Sequence, residues 1–350
     1  MSGLRVVVTG ATGNVGTSVI KALSAVEGVE SVLGLSRRPT DWTVPKTRFA
    51  VSDVRRDNLE SQFEGADVVI HLAWLFQPAR RPEITWENNV SGSLRVFRAV
   101  AQTGVPALIH ASSVGAYSPG RNQPAVSEDW PTHGWPGASY PREKAYLERC
   151  LDIFEDRHRT RVVRMRPAFI FQKSSATAQR RLFAGPFLPG SLVSSFWIPV
   201  LPQLPALSVQ VVHSSDVADA YVAATLGEQQ GAFNLAADPP VGMNTLADLF
   251  DARLIDLPEP VIRAGLWAAW HAHAVPSTPG LFDTVMQIPT MDCSRARIEL
   301  GWLPTRSPSA VLQEFFEGLR TGAGWHTPPL AGDGPVARLR EIATGLGSRA

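Results

Sequence analysis

Cysteine is nearly absent from this chain: Cys150 and Cys293 are the only two in 350 residues. Two thiols build neither a disulfide framework nor a four-cysteine zinc site, so each is expected to be a reduced, partly buried side chain. An excess of charge is lacking as well, because 33 Lys and Arg meet 32 Asp and Glu for a formal net charge of +1. That balance gives no bulk drive toward nucleic acid or an anionic membrane and argues against a general polyanion binder. No apolar run approaches the ~18 residues that span a bilayer, and the first residues enter a strand pattern without the layout of a signal peptide. A cytoplasmic location is the expectation.

Lysine is scarce too, confined to Lys21, Lys46, Lys144 and Lys173, so a lysine inside a motif carries information. None follows a glycine, which removes the phosphate loop ending in Gly-Lys-Ser/Thr, and no Gly-x-Ser-x-Gly nucleophile elbow occurs. His271 and His273 stand two apart and point to different sides of a helix, without the four-residue spacing of a metal-binding face. No metal site is expected.

What is present is a core, since 44% of the residues are apolar. Short β-branched runs at 4–8, 32–35, 68–72, 107–111 and 161–165 alternate with helical patterns at 15–26, 91–101 and 147–154. Strand and helix in alternation predict an α/β fold, a doubly wound parallel sheet of the Rossmann type with roughly six strands by residue 166. Residues 183–205 are apolar and irregular, as if covering a site, and 207–212, 217–226 and 232–235 return to strand and helix texture, predicted to re-enter the sheet. Residues 240–320 read as mainly helical. The expected organisation is therefore a cofactor domain over 1–171, to which 207–238 returns, a smaller substrate lobe from 172–206 and 239–321, and a loose tail over 322–350.

Gly10, Gly13 and Gly16 lie three apart between the first strand and a helix opening near Asn14 and Val15. Glycines there let the backbone turn tightly and approach a pyrophosphate, whose charge meets the open N–H groups and positive dipole of the helix. The second strand ends at Arg37 and Arg38, where an NAD enzyme carries an acid for the ribose 2′-hydroxyl. Two guanidiniums suit a 2′-phosphate, which favours NADP(H) over the alternative, NAD(H); a solvated basic loop is the plain reading.

Further on come Asn89, then Ser112 and Ser113 at a strand end, then Tyr140 and Lys144. With 4 tyrosines and four lysines, a Tyr-x-x-x-Lys pair arises by chance about 0.05 times, so this one is a signal. The glycine spacing and the Asn, Ser, Tyr, Lys order resemble the extended short-chain dehydrogenase/reductases, the NAD(P)-dependent epimerase/dehydratase family, in texture closest to an epimerase-like bacterial subgroup. The resemblance implies that Tyr140 is the acid/base, Ser113 a hydrogen-bonding partner of the substrate oxygen, and Asn89 the holder of the local helix and of a relay water. Lys144 would lower the phenol of Tyr140 and bind the nicotinamide ribose. Ser112 is cast as a cofactor or backbone contact. Asp53 and Val54 would meet the adenine edge, although an Asp closing a turn is nearly as good an account. Leu72, Ala73 and Trp74 would wall adenine and ribose, and Pro167, Ala168 and Phe169 would pass the nicotinamide. Because Tyr140 precedes Pro141, the helix is expected to begin at Pro141. Asp216 is read as a helix cap or first-turn acid, and the arginines at 157, 159, 161, 164 and 166 as a solvated run separated by the strand's two faces.

Departures from the family narrow the function. Val114 and Gly115 stand where dehydratases carry acids, and Pro167, Ala168, Gln287, Ile288 and Pro289 stand where nucleotide-sugar enzymes clamp a diphosphate. The expectation is an oxidoreductase moving hydride between nicotinamide and a secondary alcohol or ketone. A nucleotide-sugar C4 epimerase and a non-catalytic dinucleotide sensor are the alternatives. The small-molecule substrate is expected to be moderately apolar, met by Phe183, Phe187, Leu188, Leu192, Val193, Phe196, Trp197 and Ile198, with Arg180 and Arg181 able to rescue a phosphate. Family habit allows a homodimer.

Overall fold

The computed structural model describes residues 3–77, 79–185, 198–205, 207–332 and 334. Its strands, in chain order, are β1 (Leu4–Thr9), β2 (Val29–Ser36), β3 (Thr47–Val51), β4 (Val68–His71), β5 (Ala107–Ala111), β6 (Arg161–Pro167), β7 (Phe169–Phe171), β8 (Val200–Gln203), β9 (Val209–His213), β10 (Gly231–Leu235), β11 (Ala237–Val241) and β12 (Arg253–Asp256). The helices are α1 (Asn14–Ser24), α2 (Glu60–Phe63), α3 (Pro82–Trp86), α4 (Gly92–Thr103), α5 (Ser139–Arg157), α6 (Ala176–Phe183), α7 (Ser214–Leu226), α8 (Met243–Phe250), α9 (Glu259–His271), α10 (Pro279–Gln287), α11 (Ser294–Glu299) and α12 (Pro308–Thr321).

The β-branched runs make a sheet because alternate residues turn to opposite faces. Val6, Val8, Val68, Ile70, Ile109 and Val163 pack on one side with Val19, Ile20, Leu23 and Tyr221 of α1 and α7. Val7, Val69, Leu108 and Val162 pack on the other with Val96, Phe97, Leu147 and Leu151 of α4 and α5. Seven strands pair in the order β10-β6-β5-β4-β1-β2-β3, all parallel. The order reverses between β1 and β4, and ligands of such sheets bind outside the strand ends at that point.

Only part of the predicted return holds. Gly231–Leu235 pairs with β6 as the seventh strand, but β9 joins a separate sheet, β11-β9-β7, beside the main one. The reason is packing: Val209 and Val211 meet Phe169, Val241, Val311 and Leu312 in a core of their own under α12. The irregular stretch also contains β8, which pairs in parallel with β12. Residues 322–332, expected in a loose tail, are docked: the buried Thr327 donates from Oγ1 to the carbonyl of Thr12 at 2.8 Å. Among the described residues no helix is long and apolar enough to cross a membrane, and no cluster of His, Cys, Asp and Glu could hold a metal.

Candidate active site

The glycine turn sits at the reversal of strand order. Gly10 has φ +73°, and a Cβ there would come within 2.7 Å of the Ala73 nitrogen; a Cβ on Gly16 would come within 2.2 Å of the Gly10 carbonyl oxygen. Only glycine permits the turn, and it brings the end of β4, Leu72 and Ala73, against β1. Thr17 donates to the Gly13 carbonyl, so the N–H groups of Asn14, Val15 and Gly16 have no partner within α1 and open the anion site of a helix N-terminus. This cradle fits a dinucleotide pyrophosphate. Asn14 anchors it from the side, donating from Nδ2 to the Ile170 carbonyl at 3.2 Å and accepting from Gln172 at Oδ1 at 2.9 Å.

Arg37 and Arg38 are exposed at the end of β2, with the Arg38 carbonyl held by the Ser36 hydroxyl at 2.8 Å. Asp53 is buried and gripped by Arg55, whose Nε and Nη2 reach its carboxylate at 3.0 and 2.7 Å; this bonding first of all holds its carboxyl below the usual range. Asp53 also accepts the Arg55 N–H at 3.0 Å across the turn. Val54 packs against Gly92, where a Cβ would meet its Cγ2 at 2.8 Å. Ala168 is tied to β10 through the Leu235 carbonyl at 2.9 Å, and the half-buried Phe169 packs against the core beneath α12.

Helix α5 begins at Ser139, two residues earlier than the proline suggested. Pro141 is tolerated because the first-turn N–H groups have no intrahelical acceptor to lose. Tyr140 thus lies inside the first turn with Lys144 one turn on. The Ser113 hydroxyl lies beside Gly115 as the Tyr140 ring does, accepts the Gly115 N–H at 3.0 Å and caps the short turn Val114–Ala116. Gly115 makes room for the ring: a Cβ there would come within 2.9 Å of Tyr140 Cε1. Phe76 stacks on Tyr140 at 4.9 Å and 18°, and Trp74 meets it edge-on at 5.7 Å.

Lys144 does not lower the phenol in this arrangement. Burial pushes Tyr140 up to about 12, Ser113 opposes this and Glu143 adds to it. The ammonium of Lys144 points elsewhere: it donates to the Ala111 carbonyl at 2.6 Å and lies 3.5 Å over the Trp74 ring, but 5.9 Å from the centroid of Tyr140. Burial also draws Lys144 down to about 7. The Trp74 indole N–H is buried with no hydrogen-bond partner.

Asn89 lies on a π-helical turn, Glu87–Ser91, that bulges between α3 and α4. Its amide is fully engaged: Nδ2 donates to the Leu75 carbonyl at 2.8 Å and to Glu143 at 2.7 Å, while Oδ1 accepts from Leu75 N–H at 2.8 Å and Asn88 at 3.0 Å. Asn89 holds the local structure as expected, but its side chain has no capacity left for a relay water. Ser112 donates to Glu148 at 2.5 Å and so braces the scaffold. Arg164 and Arg166 are buried on one face of β6, not solvated, because residues two apart share a face; both pair with Glu148 at 2.9 Å. Asp216 is a first-turn acid, accepting from Thr305 at 2.6 Å, while His213 caps α7.

Sequence reasoning missed Glu143, Glu148 and Phe76. The two acids were within sight: Glu143 lies inside the Tyr-x-x-x-Lys motif, and Glu148 follows Lys144 by one helical turn. Of the apolar residues expected over the nicotinamide, Phe183 lines a cleft beside Tyr140; Phe187, Leu188, Leu192, Val193, Phe196 and Trp197 lie outside the described residues.

A profile of the NAD dependent epimerase/dehydratase family matches residues 6–190. An uncharacterised protein of Mycobacterium tuberculosis is 27% identical over 325 residues, covering 92% of this chain, which spans only 31% of that protein's length. L-arabinose 1-dehydrogenase (NAD(P)(+)) of Haloferax volcanii is 29% identical over 175 residues, 46% of this chain and 65% of the dehydrogenase. Among solved structures, a UDP-N-acetylglucosamine 4-epimerase from Methanobrevibacter ruminantium superposes with a TM-score of 0.67 at 18% identity, covering 92% of this chain and 99% of the epimerase, which demonstrates the shared fold. With the glycine turn at the strand reversal and the profile matching over half its length, the chain belongs to the NAD dependent epimerase/dehydratase family.

Proposed function

We propose that this protein is an oxidoreductase that moves hydride between a nicotinamide cofactor and a secondary alcohol or ketone, with NADP(H) preferred. The observation that carries the reading is Tyr140 in the wall of a cleft, with Ser113 across Gly115 from its ring and Lys144 one turn on in the same helix. A bound nicotinamide dinucleotide supplies or accepts the hydride. The backbone N–H groups of Asn14, Val15 and Gly16 would hold its pyrophosphate, and Arg37 and Arg38 a 2′-phosphate. The main sheet with its flanking helices, to which α7 and β10 return, would serve as the cofactor domain, and the sheet β11-β9-β7 with β8, β12 and the later helices as the substrate lobe.

The proton chemistry follows from burial. With its phenol at about 12, Tyr140 is protonated near neutral pH and serves as a donor to the carbonyl oxygen while Ser113 hydrogen-bonds the same oxygen. In the opposite direction the Tyr140 oxygen accepts the proton of the alcohol. Lys144, held by the Ala111 carbonyl at 2.6 Å and the Trp74 ring at 3.5 Å, sits one turn on from the phenol and would meet the nicotinamide ribose.

A C4 epimerase would use the same residues without net cofactor turnover, and the fold shared with epimerases keeps that as the second reading. The test is to follow NADPH absorbance against a ketone panel: stoichiometric oxidation that disappears in Tyr140→Phe supports the oxidoreductase, and isomerised substrate without net oxidation supports the epimerase.

A further inference from the structure

Beside Tyr140 lies a shallow cleft that opens to solvent. Among the described residues its walls carry no charged side chain; Phe76, Leu182, Phe183, Pro276 and Leu281 form the apolar part. Most of the polar side chains in the wall are already engaged with the protein. Gln77 donates to the Leu182 carbonyl at 2.9 Å and accepts the Ala79 N–H at 2.8 Å, Ser277 donates to the Phe183 carbonyl at 2.6 Å, and Thr278 accepts the Leu281 N–H at 3.2 Å. That leaves the hydroxyls of Tyr140 and Ser139 at the start of α5.

Three guanidiniums of the surrounding elements are directed at backbone carbonyls. Arg80 stacks at 3.6 Å on Trp270 and donates to its carbonyl, Arg180 donates to the Gly185 carbonyl, and Arg181 reaches the carbonyls of Ala331 and Pro329 at 2.7 and 3.1 Å. A diphosphate taken out of water needs charge-assisted partners, and redirecting these arginines would strip the carbonyls they serve.

We propose that this cleft takes a neutral, largely apolar ketone or secondary alcohol, and that Phe76 determines the preference. Phe76 is 38% exposed, stacks on the Tyr140 ring and meets Phe183 edge-on at 5.6 Å, so an apolar body entering the cleft covers it while the oxygen reaches the Tyr140 phenol. The choice of a carbonyl or carbinol rests on the oxidoreductase reading; the apolar, uncharged character rests on the walls alone.

The experiment measures binding separately from turnover. The protein saturated with NADPH is titrated, by tryptophan fluorescence and thermal shift, with acetophenone, cyclododecanone and a steroid ketone, and with UDP-glucose. Affinity is expected to rise with the apolar bulk of the ketone and to be absent for UDP-glucose. Phe76→Ala should weaken the tightest ketone about tenfold, Phe76→Leu much less, with NADPH affinity unchanged in both. Tighter binding of UDP-glucose than of every ketone, no binding of any ketone, or ketone affinity indifferent to Phe76→Ala would overturn the proposal. Ketone binding without NADPH oxidation upholds the cleft's preference and defeats the oxidoreductase reading; net reduction of NADP⁺ by UDP-glucose does the reverse.

Discussion

Replacing Glu148 by Gln removes the charge that balances two buried arginines. The carboxylate is 1% exposed, and it accepts from Ser112, from Arg164 and twice from Arg166. Burial alone would raise its pKa, but the arginines and Ser112 outweigh burial and hold it at about 2, against 4.5 for an ordinary glutamate. The drop from 4.5 to about 2 corresponds to about 3.5 kcal/mol at ~1.4 kcal/mol per pH unit. Breaking one partner out of a buried ion pair gives the same scale independently, about 3–5 kcal/mol, out of a total stability of roughly 5–15 kcal/mol. Glu148→Gln is therefore expected to lose about 3–5 kcal/mol in urea unfolding at neutral pH. The folded pKa is depressed, so the stabilisation is complete above the unfolded value and is lost as pH falls from 4.5 toward about 2. The gap between wild type and variant should close over that interval. A gap below about 1 kcal/mol, or one indifferent to acid, would refute the argument that this network braces β6 against α5.

Tyr140→Phe should keep fold and cofactor affinity while turnover of an identified substrate drops by about 10²–10⁴, checked by steady-state kinetics and cofactor titration. Arg37→Ala should weaken NADP(H) by roughly 1.5–3 kcal/mol and leave NAD(H) nearly unchanged, read by fluorescence titration at fixed salt. Gly115→Val puts a side chain where Tyr140 Cε1 stands 2.9 Å from an ideal Cβ, so turnover should fall while NADP(H) still binds. Gly16→Ala, with its Cβ 2.2 Å from the Gly10 carbonyl oxygen, should lose affinity for both cofactors together, measured in the same titration.

The main sheet was legible because its strands announce themselves locally: Val6, Val7 and Val8 are apolar in succession only where both faces of a strand are covered. The glycine turn and the Tyr140 and Lys144 pair were legible for the same reason, since spacing within a few residues sets which groups meet. Contacts between distant segments left no such trace. β9 has the composition of a sheet strand, and only its pairing with β7 and β11 places it outside the main sheet. The arginines of β6 looked solvated until Glu148 of α5 came to meet them, and Thr327 gave no sign of reaching Thr12. Side-chain direction was the remaining gap. Tyr140 and Lys144 share a helix face as read, yet the Ala111 carbonyl and the Trp74 ring draw the ammonium away from the phenol.

The central claim is net hydride transfer at a site where Tyr140 supplies the proton. It is tested most directly with NADPH deuterated at the transferred position, mixed with an apolar ketone that binds the cleft. The account predicts one deuterium on the carbinol carbon for each NADP⁺ released, formed about 10²–10⁴-fold more slowly with Tyr140→Phe. Deuterium absent from the product, or a substrate isomerised while the cofactor stays reduced and labelled, would contradict it.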